Sequence, residues 1–413
     1  MGEPFEDGAF LIPFYLGDFI MGDLKTFKAE ITSELYRIMS FWNNLKDEEN
    51  GGFYGYVSQD LEIDKNAEKG AILHSRIMWF YSNVYLVLKE KSALSYAKHA
   101  YEFFKSRLLD TEFGGVYWMV DFKGNPTDDM KHTYNQAFAI YALSSYYLAS
   151  GEKEVLQLAY KIFNLIETKC TDKYGYMEAF DRSWKEIEND KLSEDGYMAS
   201  KTMNTLLHVI EAYTELYRTE KNPMVGAKLK KALLMCEEKV YDKNEHILGV
   251  FFDKEMNLIS DIYSFGHDIE AAWLLDLACK TLGDDGVSEK ISYMLDEIAE
   301  MVKKTAFDGK ALNNQRLRGE VDTTRIWWVQ AESVVGFINA YQRTGKKEYL
   351  NTALLNWDYI KENICDKRKK SEWFWAVDQN GVPISGKPIV EPWKCPYHNG
   401  RMCMEVIKRY DKL

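Results

Sequence analysis

The sequence predicts an all-α protein, an (α/α)6 toroid or barrel with short β-hairpins in its connecting loops. Three observations predict it. Segments rich in Ala, Leu, Tyr and Glu with helical spacing recur with starts about 60 to 70 residues apart. Amphipathic helices alternate with them, and a Gly- and aromatic-rich segment follows most of the amphipathic ones. The first kind covers His74 to Leu88, Tyr134 to Leu148, Lys201 to Tyr217, His267 to Leu282, Trp328 to Arg343 and Asn399 to Tyr410. The second covers 24–43, 92–108, 154–168, 224–240, 286–304 and 348–363, with apolar residues at i, i+3, i+4 and charge opposite. A helix apolar around most of its circumference must be covered nearly all round, whereas one with a single stripe needs cover on one side only. Alternation of the two therefore makes an inner and an outer ring, and six pairs close into one toroid. The rival arrangement is an open solenoid of the same helix pairs.

The third element appears as GGFYGYV (51–57), GGVYWMVDFKGNP (114–126), YGYMEAFDRSW (174–184), LGVFFDKEMNL (248–258) and WFWAVDQNGVP (373–383). Turn signals such as Lys123-Gly124-Asn125 and Gln379-Asn380-Gly381 mark these as short hairpins or extended loops. The fifth unit is weaker, with Phe307-Asp308-Gly309 leading into Ala311-Leu312-Asn313. Residues 1–24 precede the first pair as an expected N-terminal extension, and 25–413 are expected to form the barrel domain. The apolar patch Ala9 to Leu16 follows Glu3, Glu6 and Asp7 rather than a basic segment, so no signal peptide is expected.

Composition narrows the function. With 46% hydrophobic and 28% charged residues, 413 residues bury a large core. A net charge of −12 repels phosphate backbones and acidic membranes, and the only basic run, Lys367 to Lys370, is brief. Neither nucleic acid nor membrane is an expected partner. Cys170, Cys236, Cys279, Cys365, Cys395 and Cys403 are scattered, as reduced thiols of a cytoplasmic protein would be. No nucleotide-binding glycine loop, serine nucleophile elbow or H-E-x-x-H run occurs, so no cofactor or metal is expected. A zinc site of His208, His267 and His398 is the one metal reading to weigh. The aromatic share, 14%, suits the holding of sugar rings by their C–H faces, although core packing also accounts for most aromatic residues.

In such a barrel the first turns of the inner helices converge on one cavity. Five of the seven histidines, His74, His132, His208, His267 and His398, lie at or near those starts, while His99 and His246 do not. In YSFGHDIEAAWLL, His267, Glu270 and Trp273 recur every three residues along one side of a helix start, and Glu270 is placed to orient His267. Asn204 and His208 are four apart, with Glu211 and Glu215 continuing the stripe deeper into the helix, where internal salt bridges are expected of them. Trp328 and Glu332 are likewise four apart, an indole face and a carboxylate able to address one ring. EPWKCPYHNGRM brings Trp393 and His398 together, with Pro396 suited to a first helical turn. Arg76, with Trp79 one turn on, needs an anion or polar oxygens if it faces a cavity, although an ordinary ion pair would also serve it.

The segments HSRIMWFYSN, KHTYNQAFAIYALSSYY, MNTLLHVIEAYTELY, GHDIEAAWL, WWVQAESVVGFINAY and WKCPYHNGRMCMEV, six motifs in order, together resemble the N-acylglucosamine 2-epimerase superfamily from near residue 25 onward. The run WKCPYHNGR is most similar to its disaccharide-specific members. The resemblance implies a barrel that converts the reducing-end glucose of a β-1,4 disaccharide (cellobiose, lactose or mannobiose) into mannose without a cofactor, as a monomer or weak oligomer. It implies that His267 and His398 are the acid/base pair, that Arg76, His208 and Glu270 surround the reacting carbons, and that Tyr134, Asn204, Trp273, Trp328, Glu332 and Trp393 hold the sugar. Two imidazoles suit C2 epimerisation, since a side chain that titrates at about pH 6.5 serves as acid or base near neutrality. The alternatives are an N-acylglucosamine 2-epimerase or mannose isomerase on the same scaffold, an inverting glycoside hydrolase, and a non-catalytic helical interaction protein.

Overall fold

The computed structural model describes residues 17–189, 191 and 196–413. Among these, twelve α-helices follow in the order α1 (Gly17–Asn43), α2 (Ala71–Leu88), α3 (Lys91–Phe103), α4 (Thr133–Ser150), α5 (Lys153–Lys169), α6 (Met203–Glu220), α7 (Pro223–Met235), α8 (Phe265–Leu282), α9 (Asp285–Ala306), α10 (Trp327–Thr344), α11 (Lys347–Tyr359) and α12 (His398–Arg409). The even-numbered helices form the inner ring. Each packs on the next, and α12 packs back on α2, so the ring closes and the open solenoid is excluded. The outer helix α1 lies against α12, so the first helix of the chain completes the last pair. The patch Ala9 to Leu16 of the expected extension lies outside the described residues.

Helices α2, α4, α6, α8 and α10 are all 18 residues long, about 27 Å at 1.5 Å per residue, which gives the barrel an even height. Gly151, Gly283 and Gly345 end three of them in the left-handed conformation, the capping role that glycine fills without a Cβ clash. Outer helices α3, α7 and α11 each finish in a five-residue π-helical turn, at Phe104–Leu108, Cys236–Val240 and Ile360–Ile364. These turns account for the longer amphipathic runs expected at 92–108, 224–240 and 348–363.

Short antiparallel strands brace the mouth of the barrel. The strand before an inner helix pairs with one from the following loop: Lys69–Gly70 with Met119–Val120, Lys131–His132 with Ala179–Phe180, Lys201–Thr202 with Phe251–Phe252, and Arg325–Ile326 with Ala376–Val377. Lys201 and Thr202, expected as the start of a helix, are strand. The fifth unit also departs from expectation, because Gln315–Leu317 and Glu320–Asp322 form a regular hairpin that pairs with Ile262–Ser264. Its strands are charged and partly exposed, so no apolar alternation announces them. Its turn places Arg318 at φ 51° and Gly319 at φ 82°, the signs of a primed hairpin turn.

Below the collar, one device recurs. An aspartate opens each loop and caps its turn, as Asp47, Asp110, Asp172 and Asp308 do by accepting backbone N–H groups two and three residues on. A base just ahead of the inner helix then meets it: Lys69 with Asp47, Lys131 with Asp110, Lys201 with Asp172, Arg325 with Asp308. In α2, α4, α8 and α10 the fourth residue of the inner helix fastens the loop from inside, as His74 does by accepting from Phe53 N. Gln136 accepts from Val116 N and donates to Val116 O, and Gln330 does the same with Leu312. In α8 this position is Asp268, which accepts from Leu248 N through Oδ1 and has no protein partner at Oδ2. Burial pushes its pKa up to about 8, against the pull of the Leu248 amide.

Asp268 therefore keeps its proton in the fold at pH values where the unfolded chain has lost it. Stability from this group falls as pH rises from its ordinary 3.8 towards about 8. Asp268→Asn, which has no proton to lose, is expected to gain on the parent in melting temperature across that window. A difference that stays flat or shrinks with rising pH would refute the assignment.

All six cysteines are buried and free of disulfides. No helix among the described residues is long and apolar enough to cross a membrane.

Candidate active site

The site is assembled from the first two turns of the inner helices. Helix α8 begins Phe265-Gly266-His267, and His267 Nδ1 shares a 2.7 Å hydrogen bond with Ser264 Oγ, just ahead of the helix. On the neighbouring α10, Trp328 sets its indole 4.6 Å from the His267 ring, centroid to centroid. The His398 ring, at the start of α12, lies 5.5 Å from the same indole. One tryptophan thus touches two imidazoles that are far apart in sequence.

Gly266 permits this approach. A Cβ there would fall 2.7 Å from Cη2 and Cζ3 of Trp328. Gly266→Ala is expected to displace the indole and lower turnover on the order of 10²-fold, the scale of a 1 Å misplacement in a site. Parental turnover in that variant would show that the position of Trp328 is immaterial.

His398 Nδ1 lies 2.8 Å from Glu332 Oε1. Glu332 also accepts from Trp273 Nε1 at 2.9 Å and from Arg401 Nη2 at 2.7 Å. The Arg401 guanidinium additionally donates to Glu211, Glu270 and the Tyr397 hydroxyl. On the facing wall His208 Nδ1 lies 2.9 Å from Glu211 Oε2, and its ring packs 5.0 Å from Tyr134 and 4.8 Å from Phe138. Arg76 donates to Tyr134 Oη at 2.8 Å and Trp393 O at 3.1 Å, with its guanidinium over the rings of Phe138 and Tyr397. The polar oxygens its burial demanded are therefore present, and its Nε keeps no protein acceptor. Trp393 closes this side, 5.9 Å from Tyr134, and Asn204 lies one turn before His208 with Oδ1 unpaired.

His267, Asn204, Trp328 and Trp393 are part-exposed, whereas Arg76, Tyr134, His208, Glu270, Trp273, Glu332 and His398 are buried. Three placements differ from those the spacing suggested. Ser264, not Glu270, holds His267, while Glu270 Oε1 lies 4.0 Å from His398 Nδ1. Glu332 is enclosed by protein donors instead of sharing a ring with Trp328. Trp273 lies deep beside it, because six residues along a helix turn the side chain about 120° away from His267. His74 and His132 serve the framework: His74 Nε2 accepts from Phe53 N, and His132 caps α4 by accepting from Tyr134 N. The salt bridges expected of Glu211 and Glu215 are formed, to Arg401 and Arg218. Arg401, Tyr397 and Ser264 were missed, although Arg401 follows His398 by three residues, a spacing that shares a helix face.

Burial sets the protonation of the site. It pushes His267 down to about 3, with His208 adding to the effect. It also pushes His398 well below the ordinary imidazole range, with Arg401 and Arg76 contributing. Both rings are neutral at neutral pH. Burial pushes Glu270 up to about 7, assisted by the charge of Glu332. It would raise Glu211 too, but Arg401 and His208 bring that carboxylate to about 2.

Glu270, Glu332 and His398 each offer a ligand atom within 4.8 Å of the others, the geometry of a metal site. The Arg401 guanidinium donates to both of these carboxylates and supplies the cation. His208 and His267 are not in that group. Because Glu270 and Glu332 share one guanidinium nitrogen, they do not straddle a bond and a water as an inverting hydrolase requires, about 6.5–9.5 Å apart.

Fold and site define the class: an (α/α)6-barrel enzyme of the epimerase and isomerase kind. The chain belongs to the N-acylglucosamine 2-epimerase (GlcNAc 2-epimerase) family, whose model matches residues 51–399. It is 56% identical to a cellobiose 2-epimerase of Ruminococcus albus over 382 residues, 92% of this chain and 98% of the relative. A cellobiose 2-epimerase of Dictyoglomus turgidum is 47% identical, over 94% of this chain and all of the relative. A solved sugar epimerase from a ruminal bacterium superposes with a TM-score of 0.92 at 55% identity, covering 93% of this chain and 99% of that one. A D-mannose isomerase at 21% identity and TM-score 0.80 shares the fold, covering 94% of this chain and 98% of that one.

Proposed function

We propose that the enzyme epimerises C2 of the reducing-end glucose of β-1,4-linked disaccharides, cellobiose foremost, with lactose and mannobiose as further substrates. The observation that carries this reading is the pair of imidazoles in contact with Trp328, each with Nδ1 tied to a protein group and Nε2 left for the sugar. Its relatives' activity on cellobiose supports the substrate.

The ring opens to expose an aldehyde at C1, which acidifies the C2 hydrogen. One imidazole takes that proton, and the other returns one to the opposite face of the planar enediolate. Reversibility requires each ring to act in both roles. His398 faces an acceptor-only carboxylate, so its neutral form presents a lone pair at Nε2. His267 faces a hydroxyl that both donates and accepts, so its Nε2 can present either a lone pair or a proton. Arg76 lies on the facing wall beside His208, where its guanidinium stabilises charge growing on O1. Trp328 and Trp393 offer part-exposed faces to the sugar rings.

Incubation with cellobiose and chromatography of the products tests the reading. Glucosyl-mannose is expected, carrying deuterium at C2 when the reaction runs in heavy water. A ketose alone, free glucose alone, or unchanged cellobiose would overturn it.

A further inference from the structure

Two buried imidazoles of the site, His208 and His398, are held by different carboxylates, and both carboxylates are held by one guanidinium. Arg401 Nη1 donates to Glu211 Oε1, while Nη2 donates to Glu332 Oε1 at 2.7 Å and to Glu270 Oε1. Glu211 Oε2 meets His208 Nδ1 at 2.9 Å, and Glu332 Oε1 meets His398 Nδ1 at 2.8 Å. We infer that Arg401 is a positioning residue that sets the tautomer of both imidazoles at once.

What each group can donate decides where the ring protons lie. An arginine and an indole N–H donate only, and an ionised carboxylate accepts only. Both oxygens of Glu332 receive donor-only groups, Trp273 Nε1 at Oε2 and Arg401 at Oε1. No oxygen is left where a carboxyl proton would sit without opposing a donor. Glu211 Oε1 receives the donor-only Arg401, the single hydroxyl proton of Tyr397 lies within reach of both Glu211 oxygens, and Arg401 and His208 hold this carboxylate down at about 2. With both carboxylates ionised, each imidazole must carry its proton on Nδ1 and turn a basic Nε2 away from the carboxylate. Glu270 is the carboxylate that can yield, since its Oε2 has no protein partner. Without the guanidinium, three buried carboxylates would face one another with no cation among them, and the cheapest relief is uptake of protons. A protonated Glu332 can donate to Nδ1 of His398, which moves the ring proton to Nε2 and removes the base.

This inference builds on the reading of His398 as a proton-transfer group, but its test does not require a sugar. In protein labelled with heavy nitrogen in histidine, magnetic resonance reports which ring nitrogen bears the proton. In the resting parent, His208 and His398 should be protonated on Nδ1. In Arg401→Met both should become Nε2-protonated or mixed, while His74, held by Phe53 N and Gly70 O, stays unchanged as an internal control. Turnover on cellobiose should fall on the order of 10²-fold, with KM altered far less than kcat. Should Arg401→Met not fold, Arg401→Lys keeps the charge but cannot reach Glu211 and Glu332 through separate nitrogens, so at least one of the two rings should become mixed. Unchanged tautomers of both rings in the folded variant would overturn the inference, whatever the enzyme does to cellobiose. A parent that fails to epimerise cellobiose would overturn the proposed function and leave the tautomer measurement readable.

Discussion

His267→Ala and His398→Ala are each expected to lower turnover on cellobiose by about 10²- to 10⁴-fold, the usual range for removing a group that moves a proton in the transition state. The folded protein should survive both changes. His267 is tied only to Ser264, whose hydroxyl can turn to another acceptor. Loss of His398 leaves Glu332 with Arg401 and Trp273, so no buried charge is orphaned. The two variants should also differ in kind. Exchange of the C2 hydrogen with solvent needs one base only, so a variant that washes deuterium into C2 of the starting sugar without making the epimer would identify which ring attacks the gluco form. Either variant retaining more than about a tenth of the parental rate would remove that histidine from the proton-transfer pair.

The largest expected loss of stability comes from Lys394→Met, at about 3–5 kcal/mol, the cost of breaking a buried ion pair from one side. Lys394 pairs with Glu372, and neither side chain has any exposure. Glu372 is also the acceptor for Trp42 Nε1 at 3.2 Å, for Trp373 N at 2.7 Å and for Asn399 Nδ2 at 2.7 Å. It thereby ties the outer helix α1, the loop after α11 and the first turn of α12 where the ring closes. A methionine fills the space but leaves the carboxylate without its cation. The double variant Lys394→Met/Glu372→Gln should recover part of the loss, because an amide removes the buried charge and keeps one acceptor oxygen, while its NH2 group opposes one of the N–H donors. Denaturant titration measures both. A single variant within about 1 kcal/mol of the parent, the scale of an exposed pair, would contradict the buried-pair account.

The helix pairs were legible because composition and period agree: an inner helix such as α4 is apolar nearly all round, while α5 or α9 carries one stripe. The hairpin at 315–322 was not, since its charged strands are fixed by pairing with Ile262–Ser264 and carry no pattern of their own. Residue type near a helix start proved a coarser guide to the cavity than phase. Tyr134, Asn204 and Trp328 are second residues of α4, α6 and α10, and Arg76, His208, Glu270 and Glu332 are sixth residues of α2, α6, α8 and α10. One helical turn separates these two positions, and both lie at the site. His74 is a fourth residue, like Gln136 and Gln330, and faces the framework. Counting from Pro396, the first-turn residue that the sequence suggested, gives Tyr397 and Arg401 the second and sixth places and Asn399 the fourth. Arg401 would have been found by that count. The partnership of Glu332 with His398 spans 66 residues and follows only from the closed ring.

The fastening of loops by the fourth residues of α2, α4, α8 and α10 bears on how such a barrel can diversify. Within about one helical turn, one side chain secures the architecture while its neighbours two places before and after line the candidate site. Chemistry and scaffold are thereby assigned to opposite sides of the same peptide segment, and new substrates can be accommodated by exchanging the inward pair without loosening the outward rivet.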